Sequence, residues 1–269
     1  LSSQYPSNMG LNDIVGAIRT AKSNDNIKGI YLDSRNLIAS MATLAEVRNE
    51  LISFKESGKF IVAYADTYTQ GGYYLASVAD KISINPQGML DLHGLSSTPI
   101  FFKDALDKLG IDMQIFKVGT YKSAVEPFTQ NEMSQANREQ VSSYLNDAWS
   151  FMRSDMAISR SLTEEQIDNV ANEMPMLQST EYLLAANLVD TLLYEADMKD
   201  YLRELLNIDE DKKIPSATVA NMKSVKTKSV LKTENTVAIL YANGNITSGT
   251  GSSGIQDKYI VNEIEKLKN

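Results

Sequence analysis

A run of five apolar and aromatic residues, Phe60-Ile61-Val62-Ala63-Tyr64, limits the possible folds of this chain more than any other segment. The run does not alternate between apolar and polar residues, as a strand with one solvent-facing side would. It is also far shorter than a membrane span, which needs about 20 apolar residues. A short continuous apolar run fits a strand that is buried on both faces, as in a parallel sheet covered by helices on each side.

Helical and strand-like segments alternate around this run, from the start of the chain to Pro127. The predicted strands span residues 29–33, 60–64, 81–85 and 114–118. The predicted helices span 11–22, 73–79 and 101–109, with one more that begins at a capping box formed by Thr43 and Glu46. Alternating strands and helices form repeated βα units with right-handed crossovers. The sequence therefore predicts an α/β fold.

After Pro127 the pattern becomes helical. The predicted helices span 134–161, 180–187 and 196–206, with another that opens at a capping box of Thr163 and Gln166. Residues 207–235 form a predicted linker, which begins acidic and becomes rich in lysine. A strand at 237–241 and a helix that starts near Asp257 are predicted to follow. We thus divide the chain into a first domain with a helical extension (1–206), the linker, and the start of a second domain (236–269).

Composition excludes several classes of function. The formal net charge of −8 argues against nucleic-acid binding, which needs a clustered basic surface. The sequence contains no cysteine, which rules out disulfides, thiolate metal sites and cysteine nucleophiles. Its one histidine, His93, rules out metal sites built on two or more histidines. We expect neither a metal nor a cofactor.

Two motifs have both a chemical and a plain structural interpretation. His93 follows Asp91 by two residues and could be a base oriented by that carboxylate, or a hydrogen-bonding residue beside a turn glycine. Residues 249–254 fit the G-x-G-x-x-G pattern of a dinucleotide site. In such a site the first glycine follows the strand almost directly, whereas seven residues separate Tyr241 from Gly249. We favour the structural interpretation of His93 and a flexible loop at 249–254.

A lysine motif lies at 116–128 and reads Phe-Lys-Val-Gly-Thr-Tyr-Lys-Ser-Ala-Val-Glu-Pro-Phe. The motif would leave a buried strand, pass Gly119 and put Lys122 at the carboxyl end of that strand, where ligands of open α/β sheets bind. A lysine at such an edge can be the general base for a serine if desolvation lowers its pKa from about 10.4 toward neutrality. Taken alone, a loop lysine is more often simply solvated.

The lysine motif resembles that of the signal peptide peptidase A family, in its long, protease IV form. Residues 57–94 resemble the first domain of the same family, with Gln70-Gly71-Gly72-Tyr73 and Asn85-Pro86-Gln87-Gly88 among the matching stretches, and so do residues 11–33. The resemblance covers nearly the whole chain. It implies two tandem domains of the Clp-protease/crotonase type, which share a Ser-Lys dyad and use no histidine.

The resemblance implies a catalytic role for one lysine. The lysine of the dyad maps to Lys122, which would accept the proton of the serine and return it to the leaving amine. The hydroxyls of Thr120, Tyr121 or Ser123 could orient its ammonium group, and the sequence does not choose among them.

The resemblance also indicates what this chain lacks. The family's serine, in a Ser-Gly-Gly-Tyr motif, and its Pro-Gly-Gly oxyanion loop would both lie beyond Asn269. In this first copy Gln70 occupies the position of the nucleophile, and residues 35–38, at the position of the oxyanion loop, contain no glycine. Since a side-chain amide cannot replace an alkoxide, we expect Gln70 to be structural, or at most to line the substrate, and this chain alone to be inactive.

The family that this sequence resembles consists of serine endopeptidases, which degrade signal peptides or other unfolded peptides at the membrane. It implies self-association, a location in the bacterial cell envelope outside the cytoplasm, and membrane attachment through a segment outside this chain. Two alternatives remain open. A crotonase-like acyl-CoA enzyme would share the fold class, and a non-catalytic scaffold could assemble through the helices at 134–206.

Overall fold

The computed structural model describes residues 10–33, 37, 39–222, 224–225, 237–251 and 254–267. The chain separates into two compact units, Leu1–Val225 and Lys226–Asn269, and each is described by itself. The predicted division into a first domain, a linker and the start of a second domain stays a prediction.

The first unit is built around a parallel sheet of four strands in the order β1-β2-β3-β4. The strands are β1 (Gly29–Asp33), β2 (Phe60–Tyr68), β3 (Lys81–Leu90) and β4 (Thr191–Leu192). Tyr31 of β1 pairs with Val62 of β2, and Ser83 of β3 pairs with Tyr64 on one side and Thr191 on the other. The predicted α/β fold with a parallel sheet is confirmed.

Helices surround this sheet, and most begin at a local capping residue. They are α1 (Leu11–Ser23), α2 (Met41–Lys55), α3 (Gln70–Ala76), α4 (Lys103–Lys108), α5 (Glu126–Thr129), α6 (Gln135–Arg160), α7 (Glu164–Asn172), α8 (Thr180–Ala185), α9 (Glu195–Leu206) and α10 (Val219–Met222), with a 3₁₀ turn at Pro175–Leu177. The predicted capping box of Thr163 and Gln166 opens α7 and is confirmed. The box predicted at Thr43 is wrong, because Ser40 caps α2 and its hydroxyl accepts from Thr43 N at 3.3 Å.

Strand β2 is buried on both faces, as its continuous apolar run predicts. Residues 61–65 are each at most 1% exposed. Successive side chains of a strand point to opposite faces, so Ile61 and Ala63 join the large core that includes residues of α1, α2, α3 and α6. Val62 and Tyr64 point the other way and pack with Met198 and Leu202 of α9.

Two aspartates hold the starts of β3 and β4 in the same way. Asp80 N donates to Ile61 O at 2.7 Å, and the Asp80 carboxylate accepts from Ile61 N at 2.7 Å. Asp190 repeats the arrangement one strand further. Its N donates to Ile82 O at 2.8 Å, and its carboxylate accepts from Ile82 N at 2.7 Å. Each aspartate thus closes a helix-to-strand junction against the preceding strand.

One predicted strand of the first unit is wrong. Residues 114–118 form no strand, and within the described residues they pair with none. Most of their side chains face solvent, with Phe116 97% and Val118 92% exposed. The position beside β3 is occupied by β4 instead. Strand propensity forms no strand by itself, because a strand needs neighbours that satisfy its backbone groups.

The second unit is small. It contains two short parallel strands, β5 (Ile246–Thr247) and β6 (Ile255–Gln256), followed by α11 (Asp257–Lys266). The helix predicted to start near Asp257 is confirmed, whereas residues 237–241 form no strand. Across the described ranges, we find no helix that combines the length and the hydropathy needed to span a bilayer.

Candidate active site

Lys122 lies on an exposed loop between α4 and α5. The loop turns at Gly119, whose φ is +106°, and Lys122 N donates to Gly119 O at 3.4 Å. The predicted position of Lys122 at the end of a strand is wrong, since residues 114–118 form no strand. The lysine is carried by a turn, and its side chain is exposed.

A cavity of about 490 Å³ adjoins Lys122. Much of its wall is apolar and comes from the same loop, through Phe116, Val118, Ala124 and Val125. The loop thus places an exposed amine beside apolar side chains.

Three hydroxyl-bearing residues lie beside Lys122 in the sequence, and the hydroxyl of one of them, Tyr121, binds elsewhere. Tyr121 Oη donates to Glu139 Oε2 on α6 at 3.4 Å. Ser123 is bound through its carbonyl oxygen, which accepts from Glu126 N at 2.9 Å, and Thr120 is exposed. Among the described hydrogen bonds, none joins these hydroxyls to the Lys122 amine. Their role in orienting the amine stays a prediction.

Glu126 anchors the loop to the start of α6. It follows Lys122 by four residues and is 1% exposed. Its Oε1 accepts from Ser134 Oγ at 2.6 Å, and its Oε2 accepts from Ser134 N at 3.2 Å and Asn137 Nδ2 at 2.9 Å. Burial raises the pKa of Glu126, but the hydrogen bonds from Ser134 and Asn137 and the positive charge of Lys117 outweigh it, so the pKa lies below its ordinary value.

The short helix α5 is also held from the side of α4. Phe102 N donates to Pro127 O at 2.7 Å. The rings of Phe102 and Phe128 stack with their centroids 6.1 Å apart. The residues just after the lysine loop are therefore fixed by both α4 and α6.

Gln70 begins α3, and its side chain binds a neighbouring turn. Its Oε1 accepts from His93 N at 3.0 Å and Gly94 N at 2.9 Å, and its Nε2 donates to Gly94 O at 3.1 Å. The hydroxyl of Thr69 caps α3 by accepting from Gly72 N at 3.1 Å. The amide group of Gln70 is thus used on both sides to hold the 93–94 backbone, and no described hydrogen bond links Gln70 to the lysine loop.

His93 is half-exposed and has one charged neighbour. Its Nε2 lies 3.5 Å from Asp91 Oδ1. Its backbone N binds Gln70, as described above, and the next residue, Gly94, has a φ of +77°. These contacts agree with a residue that shapes a turn.

Two other predicted features lie partly outside the described residues. Of the position of the family's oxyanion loop, 35–38, only Leu37 is described. In the glycine-rich segment 249–254, residues 252 and 253 are likewise outside. Two of the described glycines bind the start of α11: Gly249 N donates to Asp257 Oδ1 at 2.8 Å and Gly251 N to Gln256 Oε1 at 2.6 Å. These backbone amides are occupied by side chains of the protein itself, which argues against a phosphate site.

Arg48 is a buried residue that the sequence interpretation missed. It lies on α2, is 1% exposed, and donates to four oxygens of α3 and α6. These are Tyr74 O at 2.7 Å, Ser77 Oγ at 2.8 Å, Asp155 O at 2.7 Å and Ser159 Oγ at 2.6 Å. Arg48 thereby locks together the helix that carries Gln70 and the helix that anchors the lysine loop. The sequence did contain one indication that Arg48 is buried: it follows Val47 directly and lies on the apolar face of α2.

Comparisons with known proteins give a family match. The sequence profile of "Peptidase family S49" matches residues 53–209, a range that contains both Gln70 and Lys122. The chain is 35% identical to "Protease 4" of Salmonella typhi over 249 residues, which cover 90% of this chain and 40% of that protein. It is 27% identical to "Serine protease SPPA, chloroplastic" of Arabidopsis thaliana over 272 residues, covering 100% of this chain and 40% of that protein. The chain thus spans 40% of the length of these relatives.

A solved structure gives a weaker likeness. An enoyl-CoA hydratase/isomerase family protein from Silicibacter pomeroyi matches with a TM-score of 0.37 and 12% identity, over 72% of this chain and 68% of that chain. The expected similarity to the Clp-protease/crotonase type rests on the sequence.

Proposed function

Since the chain belongs to peptidase family S49, we propose that it is the lysine-bearing part of a longer serine endopeptidase that works by a Ser-Lys dyad. The observation that carries the proposal is the setting of Lys122, an exposed amine on an anchored turn beside a cavity of about 490 Å³. The nucleophilic serine and the oxyanion donors would come from a part of the protein outside this chain.

In the proposed reaction Lys122 moves one proton in each direction. Its neutral Nζ takes the hydroxyl proton of the serine while the serine Oγ bonds to the scissile carbonyl carbon. The ammonium group then gives this proton to the leaving amine as the C–N bond breaks. Water hydrolyses the acyl-enzyme in the same manner, with its proton passing through Nζ to the serine oxygen. The amide of Gln70 has no hydroxyl to lose and is engaged by the 93–94 turn, so it takes no part.

We propose extended, apolar peptides as the substrate class, and signal peptides left in the membrane after cleavage as the natural case. The apolar wall formed by Phe116, Val118 and Val125 suits such peptides, because it offers exposed apolar surface next to the proposed base. The same proposal puts the enzyme in the bacterial cell envelope, with this chain outside the cytoplasm, attached to the membrane elsewhere and self-associated.

The test is a lysine substitution in the full-length protein. Lys122→Ala should lower kcat on an unfolded peptide by about 1,000-fold or more, because no other proposed group can take the serine proton. Labelling of the serine by a fluorophosphonate probe should slow in parallel, while the melting temperature stays unchanged. Lys108→Ala is the matched control, since Lys108 is an exposed lysine of α4 outside the cavity wall, and it should change kcat less than about fivefold.

A second experiment uses the chain of residues 1–269 alone. It should show no peptidase turnover and no fluorophosphonate labelling, because it supplies the base without the nucleophile. Full peptidase activity of the Lys122→Ala protein would overturn the role of Lys122 as the base, whereas absence of peptidase activity from the wild-type full-length protein would favour a scaffold. Turnover by the isolated chain would overturn the assignment of the nucleophile to another part of the protein.

A further inference from the structure

Glu126 carries a carboxylate inside the protein, although no step of the proposed reaction uses it. Burying a carboxylate is costly unless donors replace its water. Here three donors from Ser134 and Asn137 do so, at 2.6 to 3.2 Å. The N-terminus of α6, a helix of 26 residues, adds a favourable dipole. The position of this carboxylate is therefore narrowly fixed.

Capping of α6 does not explain Glu126. The hydroxyl of Ser134 already caps that helix by accepting from Asn137 N at 3.1 Å. What Glu126 adds is a connection between the start of α6 and the first residue of α5, directly after the lysine loop. The helix at the other end of this connection, α6, is itself fixed in place, because the buried Arg48 of α2 binds it.

Two consecutive turns lead from Glu126 back to the lysine. Glu126 N donates to Ser123 O at 2.9 Å, and Lys122 N donates to Gly119 O at 3.4 Å. The Lys122 side chain has no hydrogen bond among the described contacts, so its reach is set by its backbone. Moving Glu126 would move the backbone of Lys122, which lies four residues away.

We propose that Glu126 is a positioning residue for the peptidase reaction: its carboxylate, bound by Ser134 and Asn137, holds the loop so that Lys122 Nζ meets the serine hydroxyl. This inference rests on the proposed function. A displacement of about 1 Å in a reacting group can lower a rate by about 100-fold, so a modest shift of the loop has a large catalytic effect.

The experiment compares Glu126→Gln with wild type in the full-length protein. Glutamine keeps the size of the side chain but removes its charge, so the charge-assisted hydrogen bonds from Ser134 and Asn137 weaken, and its NH₂ group cannot accept from either residue. We expect kcat and the rate of fluorophosphonate labelling to fall by about 100-fold, with KM within about twofold. The matched control is Glu132→Gln, because Glu132 is an exposed glutamate in the segment between α5 and α6. It should change neither kcat nor the rate of labelling.

A double substitution distinguishes positioning from a general loss of structure. In the Lys122→Ala background, Glu126→Gln should cause no further fall in labelling, because it acts only through the lysine. An equal further fall in that background would overturn the inference, and so would an unchanged kcat of Glu126→Gln itself. Full activity of Lys122→Ala would overturn the proposed function, and this inference with it.

A milder substitution tests the inference if the Glu126→Gln protein does not fold. Asn137→Ala removes one donor to Glu126 and leaves the Ser134 cap in place. It should lower kcat by about tenfold with KM unchanged. A wild-type kcat in a folded Asn137→Ala protein would overturn the inference.

Discussion

Arg160 and Asp190 are joined at two points: Nη2 lies 2.7 Å from Oδ1, and Nη1 lies 3.2 Å from Oδ2. The pair connects the last residue of α6 to the residue that precedes β4, across 30 positions of sequence. The same carboxylate also accepts from Ile82 N at 2.7 Å. One aspartate therefore holds the sheet and the far end of the helix whose first turn anchors the lysine loop.

Asp190→Asn should destabilise the protein. The side chain of Arg160 is 7% exposed and would be left without its anionic partner, so we expect a loss of about 3 kcal/mol in the free energy of unfolding. Urea denaturation measures it. Asp200→Asn is the control, because Asp200 pairs with Arg203 from a side chain that is 71% exposed, and it should cost less than about 0.5 kcal/mol. Equal effects of the two substitutions would contradict this prediction.

Arg48→Met should be similarly damaging. Methionine fills much of the volume but leaves the oxygens of α3 and α6 without their donor, and we expect a loss of about 3 kcal/mol in unfolding free energy. Arg48→Lys should be little more stable than Arg48→Met, since one ammonium group cannot reproduce the hydrogen-bonding geometry of the guanidinium. Arg138→Met, at an exposed position of α6, should be nearly neutral in the same denaturation experiment. A stable Arg48→Met protein would show that the hydrogen bonds contribute little.

Gly88→Ala should be unfavourable for a steric reason. A Cβ at this position would lie 2.3 Å from Asp66 O and 2.9 Å from Asn85 O, where β2 and β3 shift register. Backbone atoms cannot move aside easily, so we expect a loss of about 2 kcal/mol or more. Gly16→Ala in α1 meets nothing within 4 Å and should instead stabilise by about 0.5 to 1 kcal/mol. Thermal melts of the two variants should shift in opposite directions.

Tyr64 should make the protein sensitive to alkali. Burial, together with the hydrogen bond to Asp66, raises the pKa of Tyr64 to about 12. A pKa raised by folding stabilises the protein below the ordinary pKa of about 10, and that stability is lost as the pH rises from about 10 to 12. The free energy of unfolding should therefore fall less steeply over this range in Tyr64→Phe than in wild type. Identical pH dependence in both proteins would contradict the assignment.

Local patterns in the sequence predicted much of the fold. The unbroken run at 60–64 identified a strand buried on both faces, and β2 has residues 61–65 at most 1% exposed. The capping box of Thr163 and Gln166 located the start of α7. Both signals act over a few residues, and for that reason they can be read directly from the chain.

Other local signals gave wrong results because a competing residue or partner decided the outcome. Thr43 has the spacing of a capping box, yet Ser40 supplies the acceptor one turn earlier. Residues 114–118 have the composition of a strand, yet β4 occupies the edge beside β3. Strand formation depends on which segments become neighbours, and composition alone does not contain that information.

For the candidate site, the sequence by itself determined the candidate base, Lys122, and the residue types around it. The tertiary structure decided how that lysine is held, through Glu126 and the start of α6, and how α6 is held in turn. Arg48 and Ser159 form a hydrogen bond although they are 111 positions apart. Periodicity and capping are short-range properties of the chain, whereas buried polar groups find donors and acceptors wherever packing brings them together, and this is why the anchoring of the lysine loop became visible only in the folded protein.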